Sequence, residues 1–95
     1  MNPPSWQPSG PHLLAVREWD DEFVVYNEAT GDTHHLGTLA GALLLTLLDH
    51  PDGIAEQALV AETMRHVVVP DGTALHAEIG QVLARLAELR LAFAA

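Results

Sequence analysis

Histidine, carboxylate and serine side chains are the groups of this 95-residue chain that could ligate a metal, move a proton or attack a carbonyl. His34 and His35 are adjacent, so in an extended segment they point to opposite faces and cannot share one ion. His12, His50, His66 and His76 lie far apart in sequence. No His-x-x-x-His pair or His-Glu-x-x-His signature aligns two of the six histidines on one helix face. The serines are Ser5 and Ser9, both in a proline-rich stretch with no nucleophile elbow around them. Asp20, Asp21 and Glu22 form a carboxylate cluster at a turn, where solvation is their expected work. With no cysteine there is no disulfide, thiolate or Cys-ligated zinc chemistry. No catalytic residue, metal site or cofactor is expected, and function is to be sought in binding.

Charge narrows the partner. The chain has no lysine, only Arg17, Arg65, Arg85 and Arg90 as fixed cations, and a formal net charge of −9. Six positive charges from protonated histidines added to −9 still leave −3. A nucleic-acid surface needs several Lys or Arg per footprint to release counterions, so nucleic acid is excluded as a partner. The longest apolar run, Leu39 to Leu48, is about half the ~20 residues of a membrane span, and no signal peptide is evident at the N-terminus. A cytoplasmic protein with no membrane contact is the expectation.

The elements that must position any binding site follow from periodicity. Residues 1–12, with Pro3, Pro4, Pro8 and Pro11, read as an extended arm, with Trp6 the one side chain suited to tuck onto the domain. Residues 13–95 form the domain. Leu13 to Trp19 alternates as a half-buried strand, Asp20-Asp21 is a turn, and Glu22 to Asn27 is the strongest strand. Glu28 to Gly31 closes a hairpin, with Gly31 supplying a left-handed position. Asp32 to Leu36 returns as a third strand, His34 and Leu36 on one face and Thr33 and His35 on the other. Thr38 is the expected N-cap of a helix from Leu39 to about His50 that is apolar nearly all round. Such a helix is either central or buried against another protein, and Leu44, Leu45 and Leu48 mark the candidate partner or dimer face. A second helix runs from Ile54 to about His66. Val67–Val69 and Pro70-Asp71-Gly72 connect it to a third, from about Thr73 to Arg90. The core stripe of that third helix is Leu75, Ile79, Val82, Leu83, Leu86 and Leu89. The fold class is α+β: a winged-helix-like domain with a three-stranded antiparallel meander followed by three helices.

The third strand ends its meander with no later strand of comparable strength to pair with it. Its backbone groups are therefore open to another chain. A winged helix that reads DNA would need a basic third helix. Here Arg85 and Arg90 are offset by Glu78 and Glu88, so DNA binding is disfavoured.

The run REWDDEFVVYNEATGDTHHL, followed by the Leu-rich helix, resembles the PqqD-like proteins, in particular the small PqqD-type chaperones of HPr-kinase-related gene systems. The likeness spans roughly Leu13 to Leu91 and is most specific in V-V-Y-N-x-x-x-G-D-T-H. His34 and Leu36 stand where the family has its H-x-L pattern. The resemblance implies a recognition element for ribosomally made, modified peptides. Such an element binds the leader of a precursor peptide as a strand added beside the third strand, against the third helix, and presents it to a modifying enzyme. That enzyme would be a radical S-adenosylmethionine enzyme or another member of the gene system. The chain departs from the family in its Pro-rich arm and its lack of lysine. The implied peptide site is Asp32, Thr33, His34, His35 and Leu36 with Glu78, Gln81, Val82, Arg85 and Leu86. Within it His34, Val82 and Leu86 form the floor, and Gln81 and Arg85 the rims. The competing expectation is an assembly subunit that docks an enzyme, or a second copy as a homodimer, through the leucine-rich helix.

Overall fold

Alternation between Leu14 and Leu36 becomes an antiparallel meander in the computed structural model, which describes residues 5–10, 13–20, 22–65 and 75–94. The elements in chain order are β1 (Ser5–Pro8), β2 (Leu14–Trp19), β3 (Glu22–Asn27), β4 (Asp32–Leu36), α1 (Thr38–Leu48), β5 (Ile54–Ala55), α2 (Glu56–Met64), α3 (Leu75–Glu88) and β6 (Ala92–Ala94). The three strands read from the sequence are β2, β3 and β4. They form one sheet in that order, and β5, β1 and β6 form a second. Val67–Val69, Pro70–Gly72, Asp21, His12, His66 and the predicted start of the third helix at Thr73 lie outside the described residues.

Register puts Val16, Val25 and His34 in one row across the meander and Glu18, Phe23 and Leu36 in the next. Phe23, Val25 and Leu36 are buried, whereas Ala15, Arg17, Trp19, Tyr26, Thr33 and His35 of the opposite face are exposed. One face covered and one in water is the usual state of a short antiparallel sheet. The Glu28–Gly31 turn forms as expected: the Gly31 N–H donates to the Asn27 carbonyl at 2.7 Å, and Gly31 has φ +78°.

The leucine-rich helix is central. α1 packs on β1, β3, β4, α2 and α3, with Leu43, Leu44 and Leu47 fully buried. Most of its apolar surface is taken up inside the fold, while Leu45 stays 40% exposed. Two sequence expectations are corrected here. The N-cap is Gly37, in extended backbone, and Thr38 is already the first helical residue. α2 begins at Glu56, because Ile54 and Ala55 are drawn into a strand beside β1.

Within the proline-rich segment, Ser5–Pro8 is extended and paired to the rest of the domain. Trp6 pairs with both Ile54 and Ala94, and its indole N–H donates to Glu56 Oε1 at 2.9 Å. The Ser9 N–H donates to the Leu91 carbonyl at 3.0 Å, continuing the pairing with the C-terminal strand.

That C-terminal strand is aimed by the end of α3. The Leu91 N–H donates to the Leu86 carbonyl and the Arg90 N–H to the Ala87 carbonyl, a Schellman arrangement whose left-handed position is held by Arg90 at φ +61°. A left-handed non-glycine residue costs roughly 1–2 kcal/mol, partly offset by glycine's larger unfolded-state entropy. Arg90→Gly is therefore expected to stabilise the domain by about 0.5–1 kcal/mol, raising Tm by about 2–8 °C, as differential scanning calorimetry would register.

Candidate functional site: two open sheet edges and an acid-rimmed cavity

The strand register fixes which backbone groups of β4 face outward. The Glu28 N–H donates to the Leu13 carbonyl at 2.8 Å, so Leu13 and Glu28 form a hydrogen-bonded pair just beyond the β2–β3 ladder. Hydrogen-bonded pairs recur every second residue, and both backbone groups of a strand residue point to the same side. Glu22, Val24 and Tyr26 therefore bond to β2, while Phe23, Val25 and Asn27 bond to their partners Leu36, His34 and Asp32. Thr33 and His35 are left with N–H and C=O directed away from the sheet. Among the described residues no strand pairs along that side of β4. The edge offers two donors and two acceptors, spaced to receive an extended chain.

The side chains named from the sequence divide into three groups. Thr33 and His35 are exposed on the outer face of the edge, Asp32 is exposed at its start, and His34 is half-buried on the inner face. Leu36 is buried and belongs to the core. On α3, Glu78, Gln81 and Arg85 are exposed and Val82 is half-buried. Leu86 is fully buried and belongs to the core. Leu44 is fully buried as well. It has no exposed surface to offer a partner, whereas Leu45 is 40% exposed and Leu48 half-buried. Arg85 donates to Glu88 Oε2 at 3.1 Å, with both side chains about two-thirds exposed. An exposed pair of that kind is worth well under 1 kcal/mol, so Arg85 is readily exchanged to another carboxylate.

α1 touches both β4 and α3 and so sets their relative position. What fixes α1 over the sheet is Gly41, whose Cα lies against the Phe23 ring with no room for a methyl group. The sequence contained a signal for this contact. A glycine inside a leucine-rich helix costs about 1 kcal/mol against alanine, which is repaid where another group must come close.

A cavity of about 440 Å³ lies at the other side of the meander, lined by Glu18, Phe23, Ala42, Leu45, Asp49 and Glu62 among others. A second, of about 500 Å³, lies between α2 and α3 and is lined by Val60, Met64, Ile79 and Gly80. Neither lining includes a residue of β4. Among the described residues no three His, Asp or Glu side chains converge as metal ligands, and no helix is long and apolar enough to cross a membrane.

No family model matches the sequence, and no curated protein matches it. A solved structure does match by shape: TbiB1 in complex with the TbiA(beta) leader peptide. The superposition has a TM-score of 0.66 at 19% identity and covers 90% of this chain and 93% of that one. The chain shares the fold of TbiB1.

Proposed function

We propose that this chain is a non-catalytic peptide-binding protein. It receives the leader of a ribosomally made precursor peptide as a strand added to β4 and delivers it to a modifying enzyme. That enzyme is a radical S-adenosylmethionine enzyme or another product of the same gene system. The observation that carries this reading is the open edge at Thr33 and His35, within a fold shared with a protein solved in complex with a leader peptide.

Energetics define what else the peptide must supply. Four backbone hydrogen bonds contribute roughly 0.5–1.5 kcal/mol each. Ordering a free peptide costs on the order of 2–5 kcal/mol, so the bonds alone give little net affinity. Two or three apolar leader side chains, each worth roughly 1.5–3 kcal/mol when buried, supply the rest. His34 and Val82, both half-buried, are the surfaces they would cover, with Glu78, Gln81 and Arg85 as the polar margin. Leu36 and Leu86 support these from beneath.

Synthetic peptides matching the N-terminal segments of precursor reading frames beside this gene test the proposal. Titrated into the ¹⁵N-labelled protein, one of them is expected to shift the amides of residues 32–36 and 78–85 with saturable, micromolar or tighter affinity. If none of these peptides moves either segment, the proposal fails. Arg85→Glu is expected to weaken an acidic leader about three- to tenfold, from loss of one exposed charge-assisted contact, by isothermal titration calorimetry.

A further inference from the structure

The meander has a second unpaired edge. By the same register argument, the residues of β2 that bond to β3 are Ala15, Arg17 and Trp19, so Leu14, Val16 and Glu18 direct their N–H and C=O outward. Among the described residues no strand pairs there either. Proteins normally blunt such an edge with charged side chains, lysine above all, with a proline, or with a covering element. β2, with the sequence LAVREW, has no lysine or proline, and its charges are Arg17 on the outer face and Glu18 on the inner, where a guest strand that neutralises Glu18 would lift the block.

The surroundings of this edge differ from those of β4. Glu18 sits at the edge, on the inner face, and lines the 440 Å³ cavity. The apolar part of the lining is Phe23, Ala42 and Leu45, and the carboxylates at it are Glu18, Asp49 and Glu62. Of the three, Glu62 is paired with His50, whose Nε2 lies 2.8 Å from Glu62 Oε2. Glu18 and Asp49 are exposed, with no cationic partner among the described residues.

We propose that the β2 edge is a second strand-addition site. Its occupant is an extended basic segment of a partner protein, one of whose Arg or Lys side chains enters the cavity beside Glu18. A guest residue opposite Glu18 places its Cβ roughly 5 Å away, on the same face and at the cavity mouth. An Arg or Lys there lays its methylene stem along Phe23, Ala42 and Leu45 and brings its charge to the carboxylates. A second copy of this chain is the wrong occupant, because it too carries −9 and would set Glu18 against like charge. The assignment is independent of what binds β4 and leaves both edges able to be filled at once.

The probes are two blocked octapeptides, (Val-Arg)4 and (Val-Glu)4, titrated into the ¹⁵N-labelled full chain at physiological salt. The arginine peptide is expected to shift amides of Leu14, Val16, Glu18, Leu45 and Asp49, and the glutamate peptide to leave them unmoved. Val16→Pro, which removes an outward N–H, and Glu18→Arg, which reverses an exposed charge, are each expected to weaken the arginine peptide at least tenfold. His35→Pro on the opposite edge is expected to change its affinity less than twofold. Absence of binding, equal binding of both peptides, or shifts confined to residues 32–36 overturns the assignment. So does unchanged affinity in Glu18→Arg, which decides the matter even if Val16→Pro fails to fold.

Discussion

Replacing His35 by proline is expected to weaken leader binding at least tenfold while leaving the domain folded. The His35 side chain is exposed on the outer face and its N–H points away from β3, so the sheet loses no ladder bond and little packing. Proline is tolerated in a strand on such an outward-facing edge position. For a guest strand the substitution removes one of two donors and sets a ring where the guest backbone must approach. The expected loss of affinity is at least tenfold, which is about 1.4 kcal/mol, measured by calorimetry with far-UV circular dichroism unchanged. Thr33→Pro is expected to act in the same way. His34→Pro is the contrast: its N–H is committed to Val25, so this variant is expected to disrupt the sheet itself. Register, and not proximity to the peptide, separates the two neighbours.

The largest expected effect on stability is that of Gly41→Ala. Helix propensity alone favours alanine by about 1 kcal/mol. Against that, the added methyl would overlap the ring of Phe23, which is 6% exposed and enclosed by the core. Overpacking of this kind costs typically 1–3 kcal/mol and more where the neighbour cannot yield. A net loss of about 2 kcal/mol is expected, seen as a fall in Tm of roughly 8–16 °C. Truncating the neighbour supplies the check. In a Phe23→Leu background the same glycine substitution is expected to be nearly neutral, so the two changes are non-additive. Additivity would show that Gly41 is not what holds α1 at its height over the sheet. Because Phe23 is paired with Leu36, that height also sets the position of β4, which links core packing to the binding edge.

Legibility followed the range of the signal. The meander was readable because each of β2, β3 and β4 carries its own alternation and adjacent strands are joined by short turns. The inner and outer assignment of His34, Leu36, Thr33 and His35 came from period two alone, and their burial agrees with it. The second sheet was not readable. Its strands have two to four residues, one begins at Ile54 directly before a helix, and one is the three-residue Ala-Phe-Ala near the C-terminus. Their pairing joins residues some fifty to ninety positions apart, which no local pattern encodes. Leu86 and Val82 shared a stripe in the sequence, and only packing separates the core member from the half-buried one. The capping of α3 by Arg90 was hidden for a related reason: the left-handed position lacks the glycine that usually marks it.

Amide hydrogen exchange at Thr33 and His35 tests the central claim most directly. In the free protein both N–H groups, lacking a strand partner on their side of β4, are predicted to exchange rapidly, while those of His34 and Leu36 are protected by β3. On saturation with a leader peptide, Thr33 and His35 are predicted to become protected by at least tenfold. A leader that binds while leaving these two amides as fast as before would contradict strand addition at β4.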